Sequence, residues 1–315
     1  MNIKNTWLSL LLLALAIFLL IYGETGLSLE TNLIFQLRLP KVMACFFAGG
    51  LLGIAGLLMQ IFFQNPLAGP DILGVSSGSS LFVAFWMMAS FKFSETVMNW
   101  GMSAMSFLGA LSVFLILIFF VQKNISRVTL IIIGLLISSF ASSGISVLVS
   151  TSQALQLKSF LVWSMGSFRN ISLSDLPRFM ALSLISILPV LFFLKTINQF
   201  LLSENYAKSM GVNVKRMKIF FVTMAALQIS VVTLFCGPIG FIGIISPHLA
   251  RQLLKKSQLS ILLPAVFFFG AILALIAESV IVLTPSWSIS VNAVLGLIGA
   301  PVIVYYLYRQ RESGL

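Results

Sequence analysis

The sequence predicts an all-α protein that crosses a membrane about ten times. Three observations predict it. Hydrophobic residues make up 59% of the 315 and charged residues only 9%, with a mean hydropathy of +1.08. A soluble domain carries about 25% charged residues so that water can solvate its surface. The apolar residues also fall into runs separated by short loops, and at about 20 residues per span a chain of this length holds roughly ten spans. Finally, Lys and Arg gather in alternate loops, as the positive-inside rule requires. No polar stretch is long enough for a separate soluble domain, so residues 1–315 read as a single transmembrane domain.

The first span, 6–23, follows Lys4 and resembles a leader with Ala14-Leu15-Ala16 as its cleavage site. The apolar run continues through Ile17–Ile21, too long for a leader's apolar region, so it reads as a retained helix. The second span, 40–62, carries Gly49, Gly53 and Gly56, whose helical spacing lets neighbouring backbones approach closely. Spans at 74–91, 98–121, 127–150, 176–196 and 219–236 follow. The eighth, 239–253, is short for a vertical crossing and is expected to be partly re-entrant, which is tolerated where protein surrounds it. Spans at 259–283 and 293–308 complete the set, with Pro285-Ser286-Trp287 breaking the pattern between them. Between the fifth and sixth, Leu161–Gly166 is apolar but too short to span. It predicts a short helix at the outer interface with Trp163 at headgroup level. The second and seventh spans each lead into a Gly/Pro-rich stretch on opposite sides, a hint of inverted structural halves.

One set of loops and tails holds thirteen of the 19 basic residues, among them Lys4, Arg127, Lys208, Lys215, Arg216, Lys218 and Arg251. The other set holds six: Arg38, Lys41, Lys92, Lys158, Arg169 and Arg178. The bias places both termini in the cytoplasm and the protein in the inner (cytoplasmic) membrane, with the lipid bilayer as its solvent. A net charge of +11 invites a nucleic-acid reading. That reading fails because the basic residues form no patch interleaved with aromatics, and no nucleic-acid partner is expected.

Catalytic chemistry is missing from the sequence. One His cannot assemble a His-based metal site, and no two of the eight acids are spaced as a catalytic pair on one helix. There is no Walker A loop to bind ATP. Cys45 and Cys236 lie in apolar runs and read as small buried hydrophobes. The chain is therefore expected to be no enzyme and to need no cofactor or metal. Energy for transport would come from a gradient or from another subunit. A gradient-driven carrier needs ionisable groups inside the membrane. Only Glu278 falls within an apparent span, near its outer end, where it reads as a helix-end or interhelical hydrogen-bonding group. A gradient-driven secondary transporter is thus the alternative reading.

Three segments carry specific signal. They are Arg38-Leu39-Pro40-Lys41 with the Gly-rich helix ending at Gln60, the loop Asn65-Pro66-Leu67-Ala68-Gly69-Pro70-Asp71-Ile72-Leu73-Gly74, and Gly240-Phe241-Ile242-Gly243 continuing to Pro247-His248 and Arg251. Together they resemble the permease family of binding-protein-dependent ABC importers for iron–siderophores, haem and cobalamin, often called FecCD-type. The resemblance runs from Arg38 to Gly299-Ala300-Pro301.

The resemblance implies a type II ABC importer permease fold of ten helices. It also implies partners: an ATP-binding ABC subunit, a periplasmic or lipoprotein substrate-binding protein, and a second permease subunit, the same or different. The cargo it implies is a metal chelate, foremost an iron–siderophore, with haem or cobalamin as alternatives. It assigns ATPase coupling to the loop after the sixth span, with Ser203, Glu204, Ala207, Met210, Gly211 and Val212. It assigns the translocation path to the fifth and tenth spans, with Ser138, Ser139, Ser142, Ser143 and Asn292, although small residues there also suit ordinary helix packing. Arg38, with Lys41, is assigned to the outer rim as a docking charge for the binding protein. The second arginine usual in the family is replaced by Val282, leaving Arg169 or Arg178 as other docking candidates. His248 is expected to play a structural helix-end role.

Overall fold

A computed structural model describes residues 3–23, 26–27, 30–88, 95–123, 125–254, 258–287 and 289–312. Lys92, Lys255 and Lys256, which enter the charge reading, lie outside them. Thirteen helices make up the described chain: α1 (Ile3–Ile21), α2 (Thr31–Phe63), α3 (Val75–Met88), α4 (Glu95–Gln122), α5 (Arg127–Thr151), α6 (Ala154–Ser164), α7 (Leu176–Phe192), α8 (Leu194–Leu202), α9 (Glu204–Ser209), α10 (Val214–Cys236), α11 (Ile242–Leu254), α12 (Leu259–Leu283) and α13 (Val291–Glu312). The one β pairing among the described residues is a two-residue antiparallel contact of Tyr22–Gly23 with Gly26–Leu27. Each of the ten apolar stretches read from hydropathy contains a helix. Helices α2, α4, α5, α10 and α12 are long and apolar enough to cross a membrane, and α7 with α8 forms a sixth such unit bent by 65°. The bend follows Pro189, whose missing N–H weakens the last turn of α7.

Helix α2 is the axis of the fold. Of its most apolar window 89% is buried, against 17% for α5. Lipid is as apolar as leucine, so α2 cannot be held in the centre by hydrophobicity alone. Close backbone packing holds it instead. A methyl group at Gly49 would overlap the carbonyl of Gly270 on α12, and one at Gly56 would overlap the carbonyl of Gly243 on α11. Glycine lets the three backbones touch there.

Two stretches between helices are not helical. After α2 ends at Gln64, in the left-handed region (φ 49°), the chain runs through Asn65–Gly69 and the 3-10 turn Pro70–Leu73 before α3 begins. After α10 ends at Gly237 (φ 74°), residues 238–241 lead into the 13-residue α11. Helix α3 starts beside the middle of α5, where Ser77 Oγ donates to Ser138 Oγ at 3.1 Å and Gly74 lies against the Gly134 carbonyl. The segment 64–74 is therefore irregular backbone packed against α5, where the Ile72 carbonyl meets Gly134, and against α11, where Pro70 meets Gly243.

Helix α6 departs from the sequence expectation in one respect. Trp163 packs inward beside Phe160, Val83, Ala84 and Met88, and is 6% exposed. The large apolar residues of α6 that are exposed are Leu155, Leu161 and Val162.

Candidate functional site

One end of the bundle is organised around α9. Ser203 caps it, its Oγ accepting from the Tyr206 N–H at 3.0 Å. At the other end Gly211 adopts φ 82°, the Val212 N–H donates to the Ala207 carbonyl at 3.1 Å and the Gly211 N–H to Lys208 at 3.0 Å. This is a Schellman ending, which a residue with a β-carbon would strain. Ala207 is fully buried, and Val212 packs against the core. Tyr206 and Met210, four residues apart, are 43% and 56% exposed and form an apolar pair pointing away from the bundle.

Glu204 ties this short helix to two spans. Its Oε2 accepts from Arg127 Nη2 at 2.5 Å, and its Oε1 lies 2.8 Å from Lys218 Nζ on α10. Arg127, the first residue of α5, donates through Nη1 to Gln64 Oε1 at 2.6 Å. Partial burial works to raise the Glu204 pKa, but the Lys218 hydrogen bond and charge, then Arg127, outweigh it and hold the carboxyl below its usual range. A carboxylate shared by two cations thus connects the loop before α10, the start of α5 and the end of α2.

The three sequence motifs converge next to this network. Gln60 Oε1 accepts from Arg251 Nη1 at 2.6 Å, and Gln60 Nε2 donates to the Ile244 carbonyl at 3.4 Å. Asn65 Oδ1 accepts from the Leu67 N–H at 2.9 Å, closing an Asx turn. His248 is buried in α11 one turn before Arg251.

Of the residues expected on the path, Ser139, Ser142 and Ser143 are exposed on α5, and Ser138 is half-buried. Asn292, at the start of α13, makes three hydrogen bonds. Its Nδ2 donates to the carbonyls of Met165 (3.0 Å) and Pro238 (2.8 Å), and its Oδ1 accepts from the Gly240 N–H at 3.0 Å. One carboxamide thereby satisfies three groups of irregular backbone from two segments, which would otherwise lack partners away from water.

At the end of the bundle that holds Arg38, the two cations expected on the rim are buried. Arg38 is 4% exposed and turns inward, donating from Nη1 to the carbonyls of Ile21 (2.6 Å) and Leu20 (3.1 Å) and from Nη2 to Gly26 (3.3 Å). A cation there satisfies the last carbonyls of α1 and complements its dipole. Lys41, 7% exposed, lies 3.5 Å from Glu278 Oε1, which also accepts from Arg169 Nε at 2.8 Å. Glu278, fully buried, therefore joins α12, α2 and the segment after α6. Val282 is buried, whereas Arg178 is exposed and pairs with Asp175 at 2.6 Å.

Sequence reasoning missed two features. The Gln64–Arg127–Glu204–Lys218 network joins residues 63 and 77 positions apart, although a lone acid in a loop rich in cations was a signal. Asp71 reads as a loop residue in the sequence, yet the structure sets it beside Gly240 within the bundle. Among the described residues no group of three or more His, Cys, Asp or Glu side chains could hold a metal ion.

Residues 5–309 match the model of the FecCD transport family. The hemin transport system permease protein HmuU of Yersinia pestis is 31% identical over 283 residues, covering 88% of this chain and 84% of that protein. The vitamin B12 import system permease protein BtuC of Klebsiella pneumoniae subsp. pneumoniae is 30% identical over 320 residues, covering 98% and 94%. A solved structure described as an inward-facing conformation of a metal-chelate type ABC transporter matches with a TM-score of 0.86 at 28% identity, covering 97% of this chain and 98% of that one.

Proposed function

From the premise that the chain belongs to the FecCD transport family, we propose that it works as half of an ATP-driven importer whose cargo is an iron–siderophore. The coarser statement stands on the family alone: this is a multi-pass permease of the metal-chelate, haem and vitamin B12 importer class. In the proposal a second permease subunit, two ATPase subunits and an external binding protein complete the assembly. The ten apolar stretches cross the membrane ten times, and both termini are cytoplasmic.

The observation that carries the coupling part is the ion network of Glu204. The exposed pair Tyr206 and Met210 offers an apolar knob to an ATPase groove, and movement of α9 is passed by Glu204 to Arg127 at the foot of α5. Helix α5 presents Ser139, Ser142 and Ser143 to the path, so the same rigid helix reaches from the ATPase to the cargo. Arg38 and Lys41 serve the outer end by fixing α1, α2 and α12, and the exposed Arg178, paired with Asp175, is the docking charge for a binding protein.

The test is co-purification of the permease with its partner ATPase subunit. Met210→Glu with Tyr206→Glu should abolish co-purification while leaving membrane insertion intact. Unchanged co-purification would remove α9 from the ATPase contact.

A further inference from the structure

The two irregular stretches, 64–74 and 237–241, meet inside the bundle, and a carboxylate lies where they meet. Asp71 Oδ2 is 3.6 Å from the position a β-carbon would take at Gly240. Its depth can be fixed from both sides. The Ile72 carbonyl touches Gly134, seven residues above Arg127 on α5, about 10 Å at 1.5 Å per residue. Ile242, where α11 begins two residues after Gly240, precedes Arg251 by nine residues, about 14 Å on the same scale. Both values put Asp71 well inside a hydrocarbon core about 30 Å thick.

A charge at that depth needs a partner or water. Among the described residues no cation lies within ion-pair distance of Asp71, and its carboxylate has no side-chain hydrogen bond. Its side chain is exposed where the two stretches meet. Phe241, the residue after Gly240, packs against Gly296 and Gly299 of α13. It is held at φ 66°, a strained conformation for a residue with a side chain and one that clusters at functional sites. Irregular backbone and an exposed acid in one place are what a water-filled path through a membrane protein presents.

We infer that Asp71 is a charge-selecting site on the translocation path, attracting the cationic groups of a chelate and repelling anionic chelates. The inference rests on the proposed path along α5 and adds to it a preference for neutral and cationic cargo. It needs no new covalent step, only a fixed negative charge where the cargo is stripped of bulk water.

The test uses the purified chain in lipid nanodiscs and charged thiol reagents, so neither ATPase nor cargo is required. Ser139→Cys is placed in a background with Cys45→Ala and Cys236→Ala. Its reaction rates are measured at pH 8 with a cationic methanethiosulfonate (the trimethylammonium ethyl reagent) and an anionic one (the sulfonatoethyl reagent). The ratio of the two rates cancels any change in the thiol's own reactivity. The ratio should be about fivefold higher with Asp71 than with Asp71→Asn, the order expected for a nearby unit charge in a water-like dielectric. Asp71→Glu should retain it. In the protein with Asp71 intact the ratio should also decline as salt rises from about 0.01 M to 1 M, a readout that depends on no Asp71 variant folding. Reaction at Ser139→Cys with a ratio indifferent to Asp71→Asn or to salt would overturn charge selection and leave the path standing. A Ser139→Cys thiol unreactive to both reagents would overturn the path reading itself, and the inference with it.

Discussion

Removing the Glu204 carboxylate should loosen α9 by an amount the structure allows to be worked out. Glu204 accepts two charge-assisted contacts, at 2.5 Å from Arg127 and 2.8 Å from Lys218, with side-chain exposures of 31%, 24% and 20% for the three residues. Fully exposed ion pairs contribute about 0–1 kcal/mol and hydrogen bonds to charged groups about 1.5–3 kcal/mol. Screening at these exposures places the Arg127–Glu204 interaction at about 1 kcal/mol, or roughly a fivefold change in a local opening equilibrium. The assay is amide hydrogen exchange on residues 206–212, whose N–H groups close the turns of α9. Arg127→Gln should speed exchange about fivefold, and Glu204→Gln by at least as much, since it loses the Lys218 contact as well. Because the two share the Arg127–Glu204 contact, the double variant should be less than additive. The pH dependence has a definite sign. Glu204 has a lowered folded pKa, so its contribution is complete above the unfolded value of about 4.3 and is lost as pH falls through the folded value. Protection should therefore be flat from about pH 8 to pH 5, corrected for intrinsic rates, and weaken below about pH 4. Additive effects, or no change in either single variant, would refute the linkage.

Three further outcomes follow from the same structure. Arg38→Gln should lower the thermal stability of the detergent-solubilised protein by about 2 kcal/mol, because the buried carbonyls of Leu20 and Ile21 lose a charged donor; unchanged stability would return Arg38 to a surface role. Gly56→Val should prevent correct folding, at about 3 kcal/mol or more, since its side chain meets the Gly243 backbone and not a movable side-chain tip; a monodisperse, stable variant would contradict the close packing of α2 on α11. Gly211→Val has open space around its β-carbon but a φ of 82°. It should strain only the end of α9 by about 1–2 kcal/mol, raising hydrogen exchange at Val212 without reducing membrane insertion.

The helices were legible because composition and periodicity act locally. Each apolar stretch from 6–23 to 293–308 contains a helix, and the short span at 239–253 appears as the 13-residue α11 behind an irregular lead-in. The irregular stretch after α2 was legible as loop chemistry, but its depth was not. Depth depends on Gly134 admitting the Ile72 carbonyl, a contact between residues far apart in sequence. Arg38 shows the same limit at the outer end. A rim arginine and a helix-capping arginine look alike in sequence, and only the fold of residues 20–38 turns the guanidinium toward the carbonyls of α1. Asn292 was read as a path residue from its place near the tenth span. Its hydrogen bonds go to Met165, Pro238 and Gly240, which no local pattern announces.

If ATP, acting through a separate subunit, moves a metal chelate through this chain, proteoliposomes containing the permease, its partner ATPase and its binding protein should take up a radiolabelled ferric siderophore. Uptake should require ATP and the binding protein, be insensitive to collapse of the proton and sodium gradients, and be lost in Met210→Glu. Uptake driven by an imposed gradient with no ATP, or by the permease without its ATPase, would contradict that mechanism.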